Sequence, residues 1–417
     1  MNSETIFLLG MMYFMLYASI FWLLVYFERR KEVKTDPNAS ELPAVSIIVP
    51  AYNEEATIAK VVDSALALDY PEKEIIVVND GSTDRTREIC EKYAKKGLIK
   101  LVNKMNSGKA SALNVGISKS RNDFVCCIDA DSFFEPGSLR NMMGYFSDDK
   151  VAAVTSSLKV YQPRTWVQKL QWVEYIFAIY LRRLMHFVNA LYVIPGPGSV
   201  YRRSVVLGLG GFDENNLTED MEIAFKIQKA GFKIRNSISS MVNTVAPEDF
   251  TTLLRQRIRW YAGFYDNALL YKEMFFNPKY GALGMFILPA SVVWIAVLFA
   301  SLGKIMFDVW RALETPLRSL FLVGFDWDLL VASIRNMAAF EPTYITWFAV
   351  LFVAISALVI YLGLKLSGET IDIRGKYKFY ALHMVAYTVV LSLMWLFALS
   401  YVVLRGKTPK NWKGNRT

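Results

Sequence analysis

The sequence predicts an α/β domain built on a mainly parallel sheet and carried on α-helical transmembrane segments. Three observations lead there. Short Val- and Ile-rich runs alternate with helical patterns between residues 45 and 129, apolar runs of membrane length stand on either side, and acids sit where the short runs end.

The first long run, "IFLLGMMYFMLYASIFWLLVYF" (6–27), is followed at once by "ERRK". The residues before it carry no Lys or Arg, so the basic flank places residue 28 onward in the cytoplasm. A signal peptide would carry its basic residues ahead of the run and a small-residue cleavage site after it, so this segment is expected to be an anchor. "VSIIVP" (45–50), "EIIVVN" (74–79), "IKLV" (99–102) and "FVCCID" (124–129) are near-continuous apolar strands, the pattern of a sheet covered on both faces. Helix-like segments 54–68, 83–96 and 107–120 separate them, with Thr83 and Ser107 as expected N-caps. Farther on, "TWVQKLQWVEYIFAIYLRRLMHF" (165–187) suits either an interfacial helix feeding a site or a buried core helix.

Three more runs are long enough to cross: 283–307, 344–366 and 379–404. The stretch "SLFLVGFDWDLLVASI" (319–334) contains two Asp and reads equally as a fourth crossing or a re-entrant or surface helix. A basic C-terminal tail favours an even number of crossings after the soluble part, whereas the basic loop 365–378 favours an odd one.

Composition excludes several classes. The chain of 417 residues is 53% hydrophobic with a net charge of +9, which suits anionic lipid or an anionic substrate, and no nucleic-acid motif accompanies the charge. Cys90, Cys126 and Cys127 read as reduced core residues, and His186 and His383 are too isolated for a zinc or relay site. Neither G-x-G-x-x-G nor a Walker motif is present, which argues against a dinucleotide-dependent dehydrogenase or a P-loop ATPase.

A parallel sheet binds its ligand beyond the carboxyl ends of its strands. Asp129 and Asp131 stand there at i and i+2, so in an extended segment both carboxylates face one site and suit Mg²⁺ or Mn²⁺ holding a diphosphate. A turn pair is the plain alternative. Asp80, directly after the second strand, can accept hydrogen bonds from a base or ribose, or simply make an Asp-Gly turn. Lys109 falls in the first turn of a helix, where an anion would compensate both its charge and the helix dipole. Thr218 reads as an N-cap with Glu219 and Asp220 in the first turn behind it. Gln256, Arg259 and Trp260 share one helix face, which fits a juxtamembrane anchor as well as a site.

Taken in order, Asp80, "DAD" (129–131), "TED" (218–220) and "QRIRW" (256–260) resemble the D, D-x-D, T/E-D, Q-x-x-R-W signature of membrane-integrated family-2 glycosyltransferases. The similarity is closest to the processive synthases of poly-N-acetylglucosamine and hyaluronan, with cellulose synthase more distant. The resemblance implies a GT-A fold and an inverting single displacement from a UDP-sugar. It implies that Tyr52, Glu54 and Asp80 line the uridine site, that Lys109 contacts the diphosphate, and that Asp129 and Asp131 serve nucleotide and metal. Asp220, with Glu219 beside it, would be catalytic, Asp220 acting as the base that takes the acceptor proton. Gln256, Arg259 and Trp260 would border the acceptor and the leaving diphosphate. "IPGPGSVYRR" (194–203) also resembles a hyaluronan-synthase stretch, with Ile194 in place of a cysteine and Gly198 in place of a leucine.

The expected organisation is an anchor (1–30), a cytoplasmic GT-A domain (31–278), transmembrane helices (279–405) and a basic tail (406–417). The expected enzyme is a multi-pass plasma-membrane polymerase using UDP-N-acetylglucosamine by preference and Mg²⁺ or Mn²⁺. Its partners would be the UDP-sugar donor, a growing polysaccharide, membrane lipids and a small membrane accessory subunit, without nucleic acid. A single-transfer glycolipid synthase is the alternative.

Overall fold

The computed structural model describes residues 3–323, 327–328, 331–332, 344–369 and 388–405. Helix α1 (Ser3–Glu28) leads into the α/β domain. Strands β1 (Val45–Ala51), β2 (Lys73–Asp80), β3 (Lys100–Lys104) and β4 (Phe124–Cys127) alternate with α2 (Ile58–Leu66), α3 (Thr86–Lys95) and α4 (Lys109–Lys119). The four strands are parallel in the order β3-β2-β1-β4. All seven residues of β1 are buried because alternate side chains face opposite layers. Ile47 and Val49 pack with Val61 and Val62 of α2, while Ile48 packs with Leu113 and Ile117 of α4.

The helices begin a few residues later than the sequence suggests. Loop residues ahead of them are spent on cross-loop hydrogen bonds: the Glu54 amide donates to Thr86 Oγ1 at 2.7 Å, and the Ser107 amide donates to Asp80 at 3.0 Å. Arg85 and Gly108, not Thr83 and Ser107, occupy the cap positions of α3 and α4.

Beyond β4 come β5 (Ser132–Phe134), α5 (Ser138–Met143), β6 (Val151–Val160), α6 (Trp166–Phe187), β7 (Ser199–Arg202), α7 (Arg203–Gly208), α8 (Glu219–Lys229), β8 (Lys233–Thr244) and α9 (Phe250–Leu270). They extend the sheet to eight strands, β3-β2-β1-β4-β7-β6-β8-β5. This half is mixed rather than parallel. Strand β7 runs antiparallel to β4, pairing Ser199 with Cys127, so the chain enters β7 at the carboxyl end of β4. That reversal brings loop 194–199 to the same sheet end as Asp129.

Helix α6 is a packed helix. A capping box between Thr165 and Gln168 starts it, and only scattered side chains such as Trp166 and Phe177 are exposed. Near its end Arg183, 1% exposed, donates to the carbonyls of Val33 (3.0 Å), Glu32 (2.7 Å) and Asn236 (2.6 Å) and to Tyr145 Oη (2.8 Å). The Asp36 carboxylate accepts from the Ile238 and Ser239 amides and from Ser237 Oγ. A buried cation with its donors satisfied thus fastens the segment after α1 to the sheet.

After α9, a π-helical turn (Leu283–Ile287) opens α10 (Leu288–Val323), followed by α11 (Tyr344–Ser367) and α12 (Thr388–Arg405). Leu9–Glu28, Leu283–Arg311 and Val350–Ser367 are long and apolar enough to cross a membrane, and Val389–Leu404 is apolar but shorter. The stretch expected at 319–334 begins as a continuation of α10 through Val323, and most of the rest lies outside the described residues, as do 379–387 and the tail from 406. Helix α9 is joined to α12 by Tyr261 stacked on Trp395, with ring centres 3.9 Å apart.

Candidate active site

The site lies beyond the carboxyl ends of β1, β2 and β4, where the topology rule places it. The wall at the ends of β1 and β2 is three loops knitted together. Asn53 Oδ1 accepts from the Thr83 amide at 2.8 Å, the Glu55 amide donates to Asp84 at 3.0 Å, and the Arg85 amide donates to Glu55 at 3.0 Å. Asp80 is 3% exposed and bonds inward: its carboxylate accepts from the Ser107 amide (3.0 Å) and the Gly108 amide (2.8 Å) and pairs with Lys104. Gly81 follows with φ of 74°, and a Cβ there would lie 2.8 Å from the Asn106 amide nitrogen. Asp80 therefore both makes the turn and holds the β3–α4 loop in place. Tyr52 is 42% exposed at the rim, and Glu54 Oε2 accepts from Thr57 Oγ1 at 2.9 Å.

The centre is a cluster of opposite charges. Lys109 Nζ lies 2.6 Å from Asp129 Oδ1 and 3.1 Å from Glu219 Oε1, bridging the end of β4 to the start of α8. Burial acts to lower the Lys109 pKa, but Asp129, Glu219 and Asp220 outweigh it and hold the ammonium charged. Gly196 closes over this pair, and a Cβ there would meet Lys109 Nζ at 2.6 Å, so any larger residue would push the lysine away. Asp131 turns its Oδ1 toward Ser132 Oγ at 3.1 Å, while its backbone carbonyl accepts from the Val245 amide.

Glu219 and Asp220 differ in electrostatic setting. Burial favours the neutral form of Glu219, yet Lys109 and then Arg259 outweigh it and hold the carboxyl below its usual range. Burial, reinforced by the neighbouring Glu219 charge, pushes Asp220 up to about 6 against the pull of Lys109 and Arg259. Two adjacent carboxyls driven apart in this way leave Glu219 the more persistent anion and Asp220 the one that exchanges a proton nearer neutrality. The rate of any reaction that needs Asp220 ionised is expected to fall as pH drops through about 6. A kcat/KM profile between pH 5 and 8 checks this, and a flat profile down to pH 5 would remove Asp220 from the role.

Helix α9 is locked onto the start of α8. Gly263 allows the approach, since a Cβ there would lie 2.3 Å from Thr218 Oγ1. Asn267, fully buried, donates to Thr218 Oγ1 at 3.0 Å and to the Gly263 carbonyl at 2.9 Å. This fixes Arg259 within electrostatic reach of Glu219 and Asp220. Arg257, which the sequence reading left without a role, is fully buried, pairs with Glu174 of α6 at 2.7 Å, donates to Gln256 Oε1 at 3.1 Å and lies 4.2 Å from the Trp260 ring centre. Trp260 is thus held by a cation of its own helix. Arg202 and Arg203 of "YRR" donate to backbone carbonyls of Phe146 and Ile117 and serve the fold.

The structure therefore brings Lys109, Asp129, Glu219, Asp220 and Arg259 together and places Asp131 beside them. Gly196, Gly263, Asn267 and Arg257 are the residues that sequence reasoning missed. A glycine four residues before an asparagine on an otherwise bulky helix was the one local hint of the α8–α9 contact.

Among the described residues no group of three or more His, Cys, Asp or Glu side chains converges as a metal site. Two carboxylates suffice for an ion that takes its remaining ligands from water and substrate phosphates, so Asp129 and Asp131 fit Mg²⁺ or Mn²⁺ held jointly with a diphosphate.

Known proteins resemble this chain in sequence and in fold. The family model described as glycosyl transferase family 2 matches residues 46–209. A poly-beta-1,6-N-acetyl-D-glucosamine synthase of Staphylococcus aureus (strain COL) is 30% identical over 308 residues, covering 70% of this chain and 74% of its own. The synthase of the same name from Staphylococcus epidermidis is 29% identical over 310 residues, with 70% and 74% covered. Among solved structures, the mannosyltransferase PcManGT of Pyrobaculum calidifontis, in complex with GDP-Man and Mn²⁺, aligns with a TM-score of 0.55 at 20% identity. That alignment covers 93% of this chain and 98% of the other, and it shows a shared GT-A fold.

Proposed function

Since this chain belongs to glycosyl transferase family 2 and is a sugar-transferring enzyme, we propose that it is an inverting, processive polymerase. In this reading it extends a β-linked polysaccharide from UDP-N-acetylglucosamine and passes the product through its own membrane helices. The observation that carries the reading is the coupling of the charge cluster to the membrane part: α9 bears Arg259, grips α8 through Gly263 and Asn267, and stacks Tyr261 on Trp395 of α12. The staphylococcal relatives support the sugar.

In the proposed reaction Asp220 accepts the proton of the acceptor hydroxyl as that oxygen attacks the anomeric carbon of the donor. The bond from that carbon to the UDP oxygen breaks, and Lys109 and Arg259 receive the negative charge that develops on the diphosphate. Lys109 is already charged and held between Asp129 and Glu219, so it needs no new proton to do so. Asp129 and Asp131 would hold Mg²⁺ or Mn²⁺, which when bound supplies further positive charge to the leaving group. Exposed Tyr52 and half-buried Glu54 form the rim for the nucleoside, and Asp80 shapes that wall through the β3–α4 loop. Gln256 and Trp260 border the acceptor. The proposed arrangement sets the anchor (1–30) and the segments within 279–405 in the plasma membrane, with 31–278 cytoplasmic and lipid and an accessory subunit as its surroundings.

The test is to supply purified full-length protein with UDP-N-acetylglucosamine or UDP-glucose and Mn²⁺ or Mg²⁺ and to size the product. A polymer that resists lipid extraction is expected with UDP-N-acetylglucosamine. An extractable lipid carrying one or two sugars would establish the glycolipid alternative.

A further inference from the structure

Helix α6 presents to the site a face that the reaction above does not use. Ala178, Leu181, Arg182 and Met185 are spaced to share one helical face, and with Leu191, Tyr192 and Val193 they line an open-mouthed cavity of about 150 Å³. It adjoins the proposed base, because Ile194, next after Val193, donates its amide to the backbone carbonyl of Asp220 at 3.2 Å. Tyr192 packs edge-on against Phe264 of α9, with ring centres 6.2 Å apart, so the cavity lies between α6 and the helix that leads into the membrane part.

The lining is mostly apolar, and Arg182 and Tyr192 are the lining residues with polar side chains. Arg182 Nη1 is buried and finds no acceptor among the described residues. Burial lowers the Arg182 pKa, while the Asp220 and Glu174 carboxylates act the other way, so anionic groups are already near and a neutral acceptor would suffice for the free N–H. A sugar hydroxyl would bring a donor of its own to an apolar wall. An amide carbonyl with a methyl group behind it matches both the free donor and the lining.

We propose that this cavity receives the acetamido group of the acceptor's terminal sugar, with Arg182 donating to its carbonyl and Ala178, Leu181, Met185 and Leu191 surrounding its methyl. Helix α6 then selects an N-acetylated acceptor. The inference rests on the reading of this chain as a polymerase that uses N-acetylglucosamine.

The experiment supplies full-length protein with UDP-N-acetylglucosamine and Mn²⁺, and offers short β-linked oligomers of N-acetylglucosamine or of glucose as acceptors. Wild type is expected to favour the acetylated acceptor about tenfold or more in kcat/KM, the scale of one buried hydrogen bond to a charged donor. Arg182→Met and the cavity-filling Ala178→Leu are each expected to bring that preference close to unity through loss on the acetylated acceptor alone. UDP affinity certifies that each variant is folded, and if Arg182→Met fails that check, Ala178→Leu decides. Equal losses on both acceptors, an unchanged preference in the variants, or a wild type without preference would each overturn the pocket while leaving the function standing. A wild type that transfers only from another UDP-sugar would overturn the proposed function itself, and the pocket with it.

Discussion

Replacing Asp220 with Asn is expected to slow sugar transfer by about two to four orders of magnitude, the scale of losing a positioned general base. Asn keeps the size and hydrogen-bonding reach of the side chain but cannot take a proton. Asp220 stands at the start of α8, and the helix has independent supports there: Thr218 is held by Asn267 and Gly263, and Glu219 is paired with Lys109. The fold of the variant is therefore expected to be intact. UDP affinity, measured by calorimetry, should stay within about twofold, because the substitution removes no group assigned to the donor. A parallel collapse of UDP affinity and turnover would place Asp220 on the donor side and leave the base unassigned.

The second large effect is expected at Asp131. Asp131→Asn removes one of the two carboxylates, Asp129 and Asp131, proposed to hold Mg²⁺ or Mn²⁺. Asp129 cannot compensate fully, since its Oδ1 is engaged by Lys109 at 2.6 Å. Activity is expected to drop to background, and the gain in UDP affinity on adding Mn²⁺ should vanish. The backbone at this position is held separately, by the Val245 amide on the Asp131 carbonyl, so thermal stability should change little. Full activity in the variant, or full wild-type activity in excess EDTA, would remove the metal from the reaction.

How much of this was legible beforehand varied by residue. The strands β1, β2 and β4 announce themselves as unbroken apolar runs because both sheet faces are covered, and the ligand rule for parallel strands then points to Asp129. Lys109 in the first turn of α4 was also readable. What Lys109 touches was not: its two partners lie 20 and 110 residues away, and which of them it reaches depends on where loop 194–199 and α8 come to rest. Asp80 shows the same limit. Both a ligand role and a turn were open from "NDGS", and the inward bonds to Ser107 and Gly108 exist only because β3 lies beside β2.

From its residues alone, this protein was bound to have membrane-length helices around an α/β domain with acids at its strand ends. Those features follow from local periodicity and hydrophobicity, which each short segment carries by itself. Tertiary structure decided the rest. The antiparallel entry of β7, the contact of Gly263 with Thr218 and the burial of Arg257 against Glu174 all join segments distant in sequence. Such contacts depend on helix phase and strand register across the whole domain, and a segment read alone holds neither.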